Sequence, residues 1–222
     1  MGITILGVVL GAIIAILITI IIEMLRKPHL RLEIVPPVDM EFLDRPANQM
    51  RAVRLRLINT ALPSWARWMS RNAALQCHGN ITFHHMDGQN VFGRSMNIRW
   101  PASPEPIPMT LQIGNQQGLI FDPTRVTLSQ RIDVYPGESA ELDVAVRLDN
   151  EPNCYGWSNE NYFSNPLWRI PAWMLQSGRY IVRVKILSAG ERCSAQFRLI
   201  NDVPQHDFRL ENPLAIEPTN IT

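Results

Sequence analysis

Residues able to do chemistry are few in this chain, and they are scattered. Cys77-His78 and His84-His85 flank one short stretch and offer the atom types of a zinc site. That stretch reads as a strand, so Cys77 and His78 point to opposite faces, as do His84 and His85. His78 and His84 share a face but stand six residues apart, roughly 20 Å at strand rise. Zinc ligands converge at about 2 Å from the metal, so no metal site is expected. The histidines read instead as surface groups of one sheet face. Glu141 and Asp143 could pair as acid and base, yet they alternate with Leu142 and Val144, which assigns both to a solvent face. Cys154 reads as exposed beside Tyr155, but nothing basic adjoins it to lower its pKa. No nucleophile elbow, no phosphate-cradling glycine loop and no Cys/His pair in a known context is present. No enzyme and no cofactor is expected; a hydrolase whose residues lie beyond motif recognition is kept only as a third class.

The concentrated chemistry is aromatic. "NCYGWSNENYFSNPLWRIPAW", residues 153–173, holds six of the chain's seventeen aromatics. Trp, Tyr and Asn in one loop suit recognition of sugar rings or of a protein surface. Tyr155, Trp157, Asn159 and Tyr162 are the binding candidates here. Trp65 and Trp68 of "SWARW" could lie beside them. The competing reading is packing: a long connection must be ordered somehow, and aromatics folded over an open sandwich end would each bury roughly 150–250 Å². The local setting divides the loop. Trp168 and Trp173, beside Leu167, Ile170, Met174 and Leu175, are expected to be structural. Tyr155, Trp157 and Tyr162, among Gly, Ser and Asn, are expected to be exposed.

The elements that must position these groups begin with an anchor. Ile3–Ile22 runs twenty residues without a charge, about what a ~30 Å hydrocarbon layer requires of a helix. A cleaved signal peptide would want a basic start and a small-residue cleavage site, and neither is there. The expected organisation is a single-pass anchor with its basic flank at 1–27, a domain at 28–203 with the aromatic loop at 150–177, and a polar tail at 204–222. Arg26, Lys27 and Arg31 follow the apolar run, which predicts a cytoplasmic domain. Three widely spaced cysteines form no disulfide framework, in keeping with that side. The sequons at Asn80 and Asn220 would favour the outside only in a eukaryotic cell. Gly7, Gly11 and Ala15 recur every four residues, a stripe on which another helix, or a second copy, could pack closely. A net charge of +1 gives no basic field for nucleic acid, and the nineteen arginines against two lysines are spread along the chain.

After Pro28 the pattern has a period of two. "HLRLEIV", "RAVRLRLIN", "ALQCHGNITFHH", "TRVTLSQRIDVY" and "SAELDVAVRL" read as strands. Asp87-Gly88 and "PGE" mark turns, "PASPEPIP" a surface connection, and "SGRYIVRVKIL" with "RCSAQFRLIN" a last hairpin. Leu142, Val144, Val146 and Leu148 alternate, which assigns all four to the core. Seven or eight strands with no helical window beyond the anchor predict an all-β, antiparallel sandwich.

"VRLRLINTA", "VYPGESAELDVAV" and "SGRYIVRVKI" resemble the strand-plus-Asn ending, the PGE turn and the Gly-x-Tyr-x-Val-x-Val strand of bacterial Ig-like modules of the cell-adhesion-related type. The resemblance covers about half of residues 29–202. It implies an Ig-like or fibronectin type III-like sandwich with the tyrosine as a corner residue, and it carries no function, because that fold hosts many. The expected function is a non-enzymatic interaction or scaffold module binding a protein partner at the membrane. The alternatives are a glycan-binding module facing the cell envelope and a purely structural role.

Overall fold

The structure, a computed structural model, describes residues 2–42, 45–66, 68–102, 109–114, 116–120, 130–149, 151–162 and 169–213. The uncharged N-terminal run forms one helix, α1 (Gly2–Arg26), and none of Val9–Arg26 is buried. The helix is long and apolar enough to cross a membrane. Gly7, Gly11 and Ala15 all lie on it, and no atom stands within 4 Å of where a Gly11 Cβ would be.

Eleven strands form two antiparallel sheets packed as a sandwich. The first orders β1 (Leu30–Phe42), β2 (Arg45–Asn59), β8 (Ser139–Leu148), β9 (Cys154–Gly156) and β10 (Met174–Leu175) side by side. The second runs β13 (Arg209–Glu211), β12 (Glu191–Ile200), β11 (Arg179–Ser188), β3 (Ala74–His84) and β4 (Met96–Asn97), with β7 (Ile132–Val134) on the start of β3. A further hairpin, β5 (Met109–Ile113) and β6 (Gln116–Ile120), pairs only with itself. The predicted strands are all present in whole or part; β4, β5, β6, β9, β10 and β13 exceed the seven or eight expected. They are two to five residues long, too short to show a period. Residues 103–108 of the proline-rich connection and 124–129 of the fourth predicted strand lie outside the described residues.

The period-2 residues do what their pattern requires. Val53, Leu55 and Leu57 meet Leu142, Ile81, Phe83, Val182, Val184 and Ile186 in the main core. Gly79 belongs there for lack of a side chain: an added Cβ would overlap the Lys185 carbonyl oxygen and stand 2.9 Å from Ile98 Cδ1. The β11–β12 hairpin turns through Ala189-Gly190, with Gly190 at φ +91°.

Three expectations are corrected here. The chain after Val203 is not all loose tail, because Phe208 and Leu210 are buried in the core and β13 pairs with β12. The charged residues that dilute their apolar signal are themselves engaged: Arg198 and Arg209 both reach Glu211. His84 is no surface group, since its ring nitrogens bond the Gly88 carbonyl and Thr82 Oγ1 and it is buried.

The third correction has the largest effect. Val53 pairs with Ala145 but Arg54 pairs with Asp143, so β8 carries one extra residue, Val144. This bulge reverses the alternation beyond it. Leu142, Val144 and Ala145 face the main core, while Val146 and Leu148 pass to the outer face. There they form a second apolar cluster with Met50, Ala52, Tyr155 and Trp157. Another bulge of this sheet falls in β1 between Val35 and Val38, where Pro36 and Pro37 could not donate ladder bonds anyway.

Candidate functional site: a buried Arg–Asp–Trp cluster

The bulge and the crossing of one segment between sheets build the most concentrated polar site among the described residues. β4 pairs with β3 in the second sheet, and two residues later Arg99 bridges to Asp143 of the first, whose backbone N–H donates to the Arg99 carbonyl at 3.0 Å. Asp143 is therefore fully buried, not on the solvent face that alternation assigns it. Its two oxygens are taken by two guanidiniums: Arg54 Nε donates to Oδ1 at 2.7 Å, and Arg99 Nη1 donates to Oδ2. Glu141, half-buried, extends the network to Arg54 at 3.7 Å and Arg56 at 3.0 Å. Trp157 completes it, its ring lying 5.6 Å from the Arg54 guanidinium carbon and 5.0 Å from that of Arg99.

Burial pushes the Asp143 carboxyl up, opposed by the positive charges of Arg99 and Arg54. With one oxygen accepting from Arg54 and the other from Arg99, Asp143 is built as an ionic cross-link between the sheets.

The aromatic segment is ordered around this cluster. Trp157 N–H donates to the Val144 carbonyl, continuing the β8–β9 ladder past Gly156. Tyr155 Oη donates to Glu151, which also receives Arg169. Trp173 meets Phe92 edge to face at 5.0 Å, lies under the Arg94 guanidinium at 4.1 Å, and donates from Nε1 to Glu160. Trp173 is buried as expected. Tyr155 and Trp157 are also buried, at 6% and 2% exposure, and Asn159 with them. Their expected exposure is corrected: the outer apolar cluster made by the bulge supplies the neighbours that the local sequence lacks. The side chain of Tyr162 and the whole of Trp168 lie outside the described residues.

Trp65 and Trp68 are exposed, at 67% and 73%, but not beside the aromatic segment. Trp68 borders a shallow cleft with Ile22 and Arg26 at the end of α1, whereas Tyr155 pairs with Val146, toward the opposite end of β8. Cys154, expected to be exposed, is fully buried, and burial drives its thiol pKa upward. Comparison with protein-family models, with curated proteins and with solved structures finds no match to this chain.

Proposed function

We propose that this chain is a single-pass membrane protein whose Ig-like sandwich is a non-enzymatic interaction or scaffold module, cytoplasmic by the Arg26, Lys27 and Arg31 flank. Its partner is a protein at the membrane. The Ig-like reading is supported by the two packed antiparallel sheets and by Tyr180, a buried residue whose hydroxyl donates to the Gln176 carbonyl four residues upstream at 3.0 Å, as a corner tyrosine would. The anchor reading is supported by α1, unburied from Val9 to Arg26 and without a charge from Ile3 to Ile22.

One observation carries the interaction reading. The β5–β6 hairpin belongs to neither sheet, and an isolated two-stranded ribbon is marginal in water without something to pack on. Its five residue pairs run in one unbroken register from Met109–Ile120 to Ile113–Gln116. The glycan-binding alternative loses support, because Tyr155 and Trp157 are buried. Replacing residues 109–120 by a short Gly-Ser turn in the full-length chain should abolish partner co-purification from membranes without lowering the melting temperature. Retained co-purification would refute the hairpin as the docking element. Sidedness is tested separately with Ser194→Cys, an exposed position, which should resist an impermeant maleimide in intact cells and react after lysis.

A further inference from the structure

Outside α1, six large apolar side chains stand exposed among the described residues: Trp65, Trp68, Leu75, Met86, Tyr135 and Leu187. All but Met86 gather at the end of the sandwich that receives the helix. Tyr135 opens the turn whose Gly137 and Glu138 bond Asn59 at the end of β2. Leu75 accepts from Ala189 of the β11–β12 turn, which Leu187 precedes. Trp68 shares its cleft with Ile22, the last residue of the uncharged run. At 1.5 Å per residue that run spans about 30 Å, so Trp68 stands level with the edge of a hydrocarbon layer that α1 would cross.

The junction fixes this arrangement. Asn72 N–H donates to the Arg26 carbonyl at 2.7 Å and Arg71 Nη1 to the Lys27 carbonyl at 2.7 Å. His29 N–H donates to Asn59 Oδ1 at 3.1 Å, and Thr60 N–H returns to the His29 carbonyl at 2.9 Å. Asn59, fully buried, also donates to the carbonyls of Asn72 and Val134. A domain joined this way has no slack to lift off the bilayer.

We infer that this end of the sandwich is a lipid-docking surface, with Trp65 and Trp68 seated in the headgroup layer around the exit of α1. Tryptophan suits that layer, having an apolar ring and a polar N–H. Arg26, Lys27 and Arg71 at the same junction complement lipid phosphates, and Glu138 and Glu191 in the flanking turns keep the insertion shallow. The inference rests on α1 spanning the membrane and adds what the domain does beside it.

The test uses the full-length chain in phosphatidylcholine vesicles whose acyl chains carry bromine either near the headgroup or near the terminal methyl. Trp100, Trp157 and Trp173 are buried, so the difference between wild type and Trp65→Phe/Trp68→Phe reads the quenching of the two exposed tryptophans. Shallow bromine should quench the wild type more than deep bromine does. Trp65→Phe/Trp68→Phe should lose most of that quenching. Equal quenching of the double variant overturns the inference. Wild type that fails to float with vesicles after an alkaline wash overturns the anchor reading as well, whereas flotation without shallow quenching overturns only the docking.

Discussion

Asp143→Leu removes the carboxylate that accepts from both Arg54 and Arg99. Arg99 is only 4% exposed, so it stays buried after losing the carboxylate that accepts from its Nη1. Breaking a buried pair in this way costs about 3–5 kcal/mol, a large share of a domain's total of roughly 5–15 kcal/mol. For a domain of this size the melting temperature should fall by about 6–20 °C. The informative variant is the double replacement, Asp143→Leu with Arg99→Met, which takes away both buried charges and keeps apolar volume. It should recover most of the loss, because the single change fails through a stranded cation and not through lost packing. Thermal melts of the full-length chain in mild detergent, followed by far-UV circular dichroism, give all four corners of the cycle. If Asp143→Leu melts within about 2 °C of wild type, or if the two changes simply add, the cluster is not the cross-link described and the reasoning fails.

Trp157→Ala should cost about 3–5 kcal/mol, whereas Trp65→Ala in detergent should stay within roughly 0.5 kcal/mol of wild type; urea midpoints of both distinguish a core aromatic from an exposed one. Ending the chain after Val203 should lower stability by about as much as Trp157→Ala, since it empties the Phe208 and Leu210 sites, and the same urea titration reads it. Cys77 has its thiol pushed by burial from 9.0 to about 11. The unfolded chain therefore ionises first, so its contribution is intact below about pH 9 and is lost as the pH climbs toward 11. Denaturant midpoints should fall across that window and fall less in Cys77→Ala.

The strands legible in the sequence were those long enough to display a period: β1, β2, β3, β8, β11 and β12. Of the residues that alternation assigns to the core, Leu142 and Val144 lie in it. The bulge was hidden because its extra residue, Val144, is itself apolar, so "LDVAVRL" continues to look like a clean alternation while its faces exchange. That one residue accounts for the misplacing of Asp143, Val146 and Leu148, and it also creates the apolar ground on which Tyr155 and Trp157 rest. An aspartate set in an otherwise apolar strand was the available sign. Its partner Arg99 could not be paired with it, because that contact spans 44 residues and two sheets. Trp173 was read correctly since its apolar neighbours are local. β13 was missed because two core residues among charges do not make a pattern.

The bonds between Arg26 and Asn72, and between His29 and Asn59, make the helix and the sandwich one lever. A tethered domain samples its surroundings regardless of how its anchor turns, but a welded one inherits every turn. Each residue of a helix advances about 100° around its axis. One residue inserted between Ala15 and Ile22 would therefore swing the whole sandwich through about that angle relative to the Gly7, Gly11 and Ala15 stripe. If a neighbouring helix seats on that stripe, the azimuth that the sandwich presents is set by a residue count within α1.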